Sequence, residues 1–292
     1  MDPTLVVDKY SVAKQSFPGC PIGCGWYAEI TDGPYKGLVT EGNVWEPFGT
    51  IVGRCAVREP TFMVKISAYC NQLGVDFNLV GNSIAWAMEC YQRGILTKED
   101  TDGLALEWGD EEVILELARK IAYREGFGNI LAEGCKRASE IIGRNSGYYA
   151  MHIKGQDLYE SMRGSNAWAL GAAVSTRGGG HTTGTCGWEQ AGYIDVDKAY
   201  RITGVKNAND ATSYEGKARL TYYFEVLHRI NNSTGVCHQN TFYNKLDYLN
   251  LDDFAELISS ATGIEFTTKD LEEIAMRQLN IEKAINLRFT NF

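Results

Sequence analysis

Two closely spaced cysteines constrain this chain more than any other feature: Cys20-Pro21-Ile22-Gly23-Cys24, entered through the Pro18-Gly19 turn. Such a pair can aim two thiolates at one centre, as iron–sulfur clusters and zinc require. The alternative is a pair that merely packs. Zinc would call for a second close pair, which the chain lacks. A lone cysteine far downstream, Cys237, closes the hexapeptide Asn232-Ser233-Thr234-Gly235-Val236-Cys237. An earlier hexapeptide, Asn71-Gln72-Leu73-Gly74-Val75-Asp76, has the same build: Asn, two residues, Gly, Val, then a ligand-type side chain.

Composition narrows the partners. The chain has 292 residues with a net charge of -9, and 44% apolar against 22% charged residues, which is an ordinary globular balance. An acidic chain lacks the basic footprint that nucleic acid and anionic membranes demand. No apolar run approaches the ~20 residues of a membrane span. Met1-Asp2-Pro3 opens no basic-then-apolar leader, so a cytoplasmic location is expected. Eight cysteines without further close pairs do not read as a secreted disulfide framework. Cys70, Cys90 and Cys135 fall in apparent helices and are expected to be buried thiols.

Residues 1–58 read as turns and short strands, rich in Gly, Pro and Thr. Beyond Glu59 the apolar period becomes helical. Phe62, Ile66 and Tyr69 predict a helix that stops near Gly74; Ile84, Met88 and Tyr91 predict another, ended by Arg93-Gly94. Thr97–Asp100 resembles a capping box. Asp110 opens an amphipathic helix carrying Ile114, Leu117, Ala118 and Ile121 on one face, and 129–142 is expected as the next. Residues 145–190 form a long glycine-rich stretch, read as a binding loop with a short helix over Ala167–Val174. Helices return at 211–229, led by the capping box Thr212–Glu215, and at 252–260 and 269–285. The expectation is a mainly α, multihelical chain of about eight helices: two all-α domains, 1–160 and 161–292, with an irregular N-terminal segment.

Together these stretches resemble the tungsten-containing aldehyde:ferredoxin oxidoreductase family. The resemblance is carried by the Cys20–Gly25 segment, by Cys70–Asp76 with the helix after it, and by Arg124-Glu125-Gly126-Phe127-Gly128-Asn129-Ile130-Leu131-Ala132-Glu133-Gly134. His152-Ile153-Lys154-Gly155 and Arg177-Gly178-Gly179-Gly180-His181 follow in the family's order. Three departures stand out. The family's amino-terminal domain is not represented; Phe17 stands where another cluster cysteine is expected; and Asn71 and Asn232 replace the usual aspartates of the two hexapeptides.

The resemblance implies a 4Fe–4S cluster on Cys20, Cys24 and Cys237; Phe17 leaves the fourth ligand missing unless Cys55 or another thiol moves in. It implies a tungsten (or molybdenum) bis-pterin on Asn71, Gly74 and Asp76 and on Asn232, Gly235 and Val236. His181 becomes the hydrogen-bond donor or proton shuttle, and Glu46, with Glu41 as the competing candidate, the proton acceptor. Glu46 among Trp45, Phe48 and Ile51 would have a raised pKa if desolvated. His152, His228 and His238 are read as structural, His238 being close enough to Cys237 to support it. The implied activity is oxidation of aldehydes to acids, with ferredoxin or another electron-transfer subunit as acceptor. The Trp-bearing segment Thr182–Gln190 is the mark of the alternative, an aromatic coenzyme A thioester reductase of the same family. A second alternative is an inactive, partner-binding fragment. Further expected partners are the amino-terminal domain, in cis or in trans, and a second copy of the chain in a homodimer.

Overall fold

Helix punctuation in this chain is set by glycines and short polar caps. The computed structural model describes residues 4–42, 45–191, 195–243 and 248–290. It is mainly α, with thirteen α-helices and two small antiparallel sheets among the described residues. The chain divides into two units, Met1–Glu160 and Ser161–Phe292.

The first unit opens with α1 (Thr4–Tyr10) and a three-stranded antiparallel sheet of β1 (Ser11–Gln15), β2 (Gly25–Glu29) and β3 (Val39–Gly42), in that order. In β2, Trp26 and Ala28 are buried and Tyr27 and Glu29 exposed, the period-two alternation of a half-buried strand. The Cys20–Cys24 segment is the connection between β1 and β2. The expected irregular stretch after it is instead α2 (Trp45–Pro47), which runs into a π-helical turn at Phe48–Gly53. Four helices build most of the core: α3 (Phe62–Leu73), α4 (Phe77–Gln92), α5 (Glu111–Tyr123) and α7 (Gly134–Ile142), with the short α6 (Phe127–Leu131) between the last two. Phe62, Ile66, Ile84, Met88, Ile114 and Leu117 are fully buried at the predicted spacings. A hairpin of β4 (His152–Ile153) and β5 (Gln156–Asp157) ends the unit.

The second unit holds α8 (Asn166–Val174), α9 (Gly187–Ala191), α10 (Val196–Thr203), α11 (Lys217–Thr234), α12 (Leu251–Thr262) and α13 (Thr268–Phe289). Its core is aromatic. Trp188 meets Phe224 and Phe242 edge to face at 5.2 and 4.3 Å, and Trp168, Leu227, Phe254 and Leu271 complete it.

Several expected boundaries move, each for a local reason. The helix expected over 129–142 breaks before Gly134, whose φ of 78° ends one helix and starts the next. Thr97–Asp100 is a turn: the Asp100 carboxylate accepts the Thr97 N–H at 2.9 Å but also holds Arg144 at 2.7 Å, and no helix follows. Thr212–Glu215 is likewise no helix start. Asp210 accepts the Thr212 N–H, Ser213 Oγ accepts the Glu215 N–H, and α11 begins only after Gly216, at φ 74°. Capping boxes do occur, at Asn250/Asp253 and Thr267/Asp270, where Asp replaces the usual Glu. The stretch 145–190 is not one loop but a 3₁₀ turn, the β4–β5 hairpin, α8 and α9. No helix among the described residues is long and apolar enough to cross a membrane.

Candidate functional site

The eight cysteines fall into two classes. Cys55, Cys70, Cys90, Cys135 and Cys186 are buried, whereas Cys20 is half-buried and Cys24 and Cys237 are exposed. Burial pushes Cys55 and Cys70 up to about 12 and Cys90 to about 11, and raises Cys135 and Cys186 further. Cys55, the named candidate for a fourth cluster ligand, is wholly buried in the core, with Sγ against the Gly81 carbonyl. Phe17, at the position expected for a further cysteine, is 82% exposed and accepts the Cys20 N–H through its carbonyl. Gly19 and Gly23 take positive φ of 75° and 57° on either side of Cys20. Cys20 and Cys24 belong to the first unit and Cys237 to the second. Among the described residues, no group of three or more His, Cys, Asp and Glu side chains is arranged to hold a metal ion.

The two hexapeptides share one local geometry. Asn71–Asp76 ends α3 and Asn232–Cys237 ends α11. Gly74 and Gly235 are left-handed, at φ 69° and 72°. The Val75 N–H reaches back to the Cys70 carbonyl and the Val236 N–H to that of Asn231, each at 3.1 Å. Both are therefore Schellman caps. A Cβ on either glycine would meet nothing within 4 Å, so the turn requires glycine and packing does not. Each hexapeptide also ends on the N-cap of the next helix. The Asp76 carboxylate accepts the Asn78 and Leu79 N–H groups at 2.8 and 3.1 Å, and Cys237 caps a 3₁₀ turn at His238–Asn240. The side chains of Asn71 and Asn232 are exposed.

Three family-like stretches meet on one cavity of about 300 Å³ in the first unit, lined by Val75 and Asp76, Glu133 and Gly134, and Gly155 to Asp157. The longest of them, Arg124–Gly134, is a steric corner. A Cβ on Gly126 would lie 2.1 Å from Asp102 Oδ2, and one on Gly128 2.3 Å from the Lys120 carbonyl carbon. Asp102 accepts the Phe127 N–H and Lys120 Nζ, both at 2.8 Å, and so ties α5 to α6. The stretch His152–Gly155 is a two-residue hairpin turn with φ of 55° at Lys154 and 87° at Gly155, the combination a type I′ turn needs. It delivers Asp157, 3% exposed, to the cavity wall, where the carboxylate accepts the Cys135 N–H and the Ser83 hydroxyl. Asp157 has no motif spacing to announce it.

Glu46 lies in the first turn of a helix and not in a loop. Its carbonyl accepts the Thr50 hydroxyl at 2.6 Å where the coil widens to the π form. A Cβ on Gly81 would sit 2.3 Å from the Thr50 carbonyl oxygen, so α4 pins this turn in place. Isolated π turns concentrate at functional sites. Of the neighbours expected around Glu46, Ile51 is fully buried and Phe48 partly so. Glu41 is on β3, exposed, opposite Tyr27.

His181 follows a glycine run that is buried, not a surface loop. Ser175 Oγ accepts the Arg177 and Gly178 N–H groups, and Thr185 Oγ1 donates to the His181 carbonyl. The imidazole stacks on the Trp168 indole, with centroids 5.5 Å apart and planes at 21°. Upstream of the run, Thr176 is clamped: Arg229 and Asn286 donate to its hydroxyl and carbonyl, and its hydroxyl donates to Glu282. Nearby His228 is buried, and burial above all, with His238, His181 and Arg229 adding to it, holds its imidazole down at about 3. Its Nδ1 donates to the Phe224 carbonyl at 2.7 Å, which leaves Nε2 a bare acceptor with no partner among the described residues. Burial lowers His238 as well, and Tyr243 packs edge-on against both rings at 5.0 and 4.9 Å. Within the segment Thr182–Gln190, Trp188 is in the core and donates to the Phe242 carbonyl.

The donor chemistry fits the implied groups. The thiols outside the core are those of the cluster pattern. Beside the second hexapeptide, Asn231 Oδ1 and Asn240 Oδ1 are buried acceptors without partners among the described residues, suited to a ring bearing N–H groups.

Over residues 4–291 the chain matches the family described as aldehyde ferredoxin oxidoreductase, domains 2 and 3. It is 30% identical over 283 residues to the tungsten-containing aldehyde ferredoxin oxidoreductase of Thermococcus kodakarensis, and 31% identical to that of Pyrococcus furiosus. Each match covers 96% of this chain and 43% of the relative. A second Pyrococcus furiosus protein, the WOR-like subunit of an aliphatic sulfonate oxidoreductase, is 38% identical over 172 residues, 56% of this chain and 27% of that one. In fold the chain is similar to the active site complex BamBC of benzoyl coenzyme A reductase, solved with 1,5-dienoyl-CoA. The TM-score is 0.77 at 22% identity, covering 98% of this chain and 46% of the solved one. This chain thus spans less than half the length of these relatives.

Proposed function

The chain belongs to the aldehyde ferredoxin oxidoreductase family, and from that premise we propose that it forms the carboxyl-terminal, helical part of a tungsten (or molybdenum) bis-pterin oxidoreductase that oxidises aldehydes to acids. One observation carries the reading beyond family membership. Of eight cysteines, the three outside the buried core are Cys20, Cys24 and Cys237, those of the cluster pattern.

When bound, the bis-pterin metal supplies two-electron oxidation, and a 4Fe–4S cluster supplies one-electron transfer toward ferredoxin or another electron-transfer subunit. Cys20, Cys24 and Cys237 would hold the cluster. The capped turns Asn71–Asp76 and Asn232–Cys237 would hold the two pterins, through Asn71, Gly74 and Asp76 and through Asn232, Gly235 and Val236, with Asn231 and Asn240 accepting from ring N–H groups. His181, its plane set by Trp168, donates a hydrogen bond or proton to the substrate oxygen. Glu46, on its π turn, takes the proton released. The longer relatives support a further domain, in cis or in trans, that completes the enclosure and excludes water.

A reductive variant acting on an aromatic coenzyme A thioester is the second reading. The benzoyl coenzyme A reductase complex supports it through the likeness in fold. The test is anaerobic purification from tungsten-supplied cells together with the completing domain. The expected result is iron and tungsten in the protein, aldehyde-dependent dye reduction, and loss of iron in Cys24→Ser and Cys237→Ser. Full iron content in both variants would overturn the cluster assignment. Dye reduction with a thioester product and not with an aldehyde would select the second reading.

A further inference from the structure

We propose that the buried Glu189–Lys217 ion pair is the positioning device of His181, because it fixes the Trp168 ring on which that imidazole stacks. Trp168 lies in the first turn of α8. The N-cap of this helix, Ser165, makes no side-chain cap bond. The N–H groups of a first turn have no partner inside their own helix. Here Glu189 supplies one from more than twenty residues away. Its Oε2 accepts the Ala167 N–H at 2.6 Å and the Trp168 N–H at 3.1 Å. The carboxylate thus acts as a long-range cap, placed where the helix dipole favours negative charge.

The other carboxylate oxygen is held as firmly. Lys217 Nζ lies 2.5 Å from Glu189 Oε1 and also donates to the Ala208 carbonyl at 2.8 Å. Both side chains are buried, that of Glu189 fully and that of Lys217 3% exposed. Replacing such a pair by apolar side chains of similar volume is often neutral or stabilising, so stability is a weak account of a charged cap here. Position is a better one. Lys217 opens α11, Glu189 sits on α9, and the chain of contacts runs from them through the α8 backbone to the indole, itself 1% exposed, and on to His181. Gly171 adds the steric counterpart. A Cβ there would lie 2.6 Å from the Gly184 carbonyl oxygen, so α8 is pressed against the segment that follows His181.

The inference rests on the reading of His181 as the proton-handling residue. Its test reads the position of the imidazole and not activity, so the two can fail separately. The experiment is heteronuclear NMR of the full 292-residue chain, labelled at histidine and held at one pH. His181→Gln assigns the signal. In the unmodified chain the His181 ring protons should be shifted upfield by the Trp168 ring current and show contacts to that ring. Trp168→Leu gives the position of an unstacked imidazole. Glu189→Gln keeps the side chain's size but removes the charge that binds Lys217. It should carry the His181 signal most of the way to the Trp168→Leu position, while His228 and His238, packed on Tyr243, hold theirs. Should that variant fail to fold, the Glu189→Gln/Lys217→Met double variant, which leaves no unpaired buried charge, makes the same test with the same expected displacement. The proposal is overturned if the unmodified chain shows no upfield shift. It is equally overturned if either folded variant keeps the native His181 signal.

Discussion

Gly128→Ala tests the corner that carries Glu133 and Gly134 to the cavity of the first unit. The added methyl would lie 2.3 Å from the Lys120 carbonyl carbon and 2.6 Å from its oxygen. These are helix-backbone atoms of α5 and cannot rotate away. Overpacking of this kind costs about 1–3 kcal/mol, and a clash with backbone belongs at the upper end. Alanine also relieves the entropic penalty of glycine within a helix, which offsets about 0.5–1 kcal/mol. The net loss expected is about 2 kcal/mol, or roughly 4–8 °C in Tm for a domain of this size. Urea unfolding with hydrogen exchange on α5 and α6 amides reads it where it occurs, since opening should be eased there first. Gly49→Ala is the control, because its added Cβ meets nothing within 4 Å. A Gly128→Ala chain as stable as the unmodified one would refute the close approach of α5 and α6.

Two further outcomes follow from burial. A bulky alkylating reagent at about pH 8 should modify Cys20, Cys24 and Cys237 in the folded apo chain and spare the other five cysteines until the chain unfolds, as read by peptide mass spectrometry; early modification of Cys55 would refute its burial. The His228 imidazole, lowered from 6.5 to about 3, takes its proton later in the folded than in the unfolded chain, so stability is intact above 6.5 and falls as acid is added through that window. The slope from this one group is about 1.4 kcal/mol per pH unit. Urea midpoints of the unmodified chain and of His228→Gln should therefore converge between neutral pH and mild acid, and parallel curves would locate the loss in another group.

What could be read without the structure was whatever a few neighbouring residues decide. The stop at Gly74, the cap at Asp110 and the buried stripe from Ile114 to Ile121 depend on backbone φ, one side-chain hydrogen bond or a 3.6-residue period, and all of these lie within a turn or two of chain; the helix expected to end at residue 229 instead runs on to Thr234, where Gly235 caps it. The same local reading overreached at Thr97 and Thr212. A cap-like string there is equally a turn, and only what packs behind it chooses. For the candidate site, the cysteine pattern and the matched hexapeptides were legible because both are spacings. The burial of Cys70, Cys90 and Cys135 was legible from their helical setting, but that of Cys55 and Cys186 was not, nor was the placing of Trp188 in the core. Asp157, Trp168, Glu189 and Lys217 were invisible for the same reason. Their partners are fixed by the crossing of helices tens of residues apart. A charged side chain in a sequence reads as surface until the fold supplies the buried opposite charge or the uncapped helix end that makes its burial tolerable.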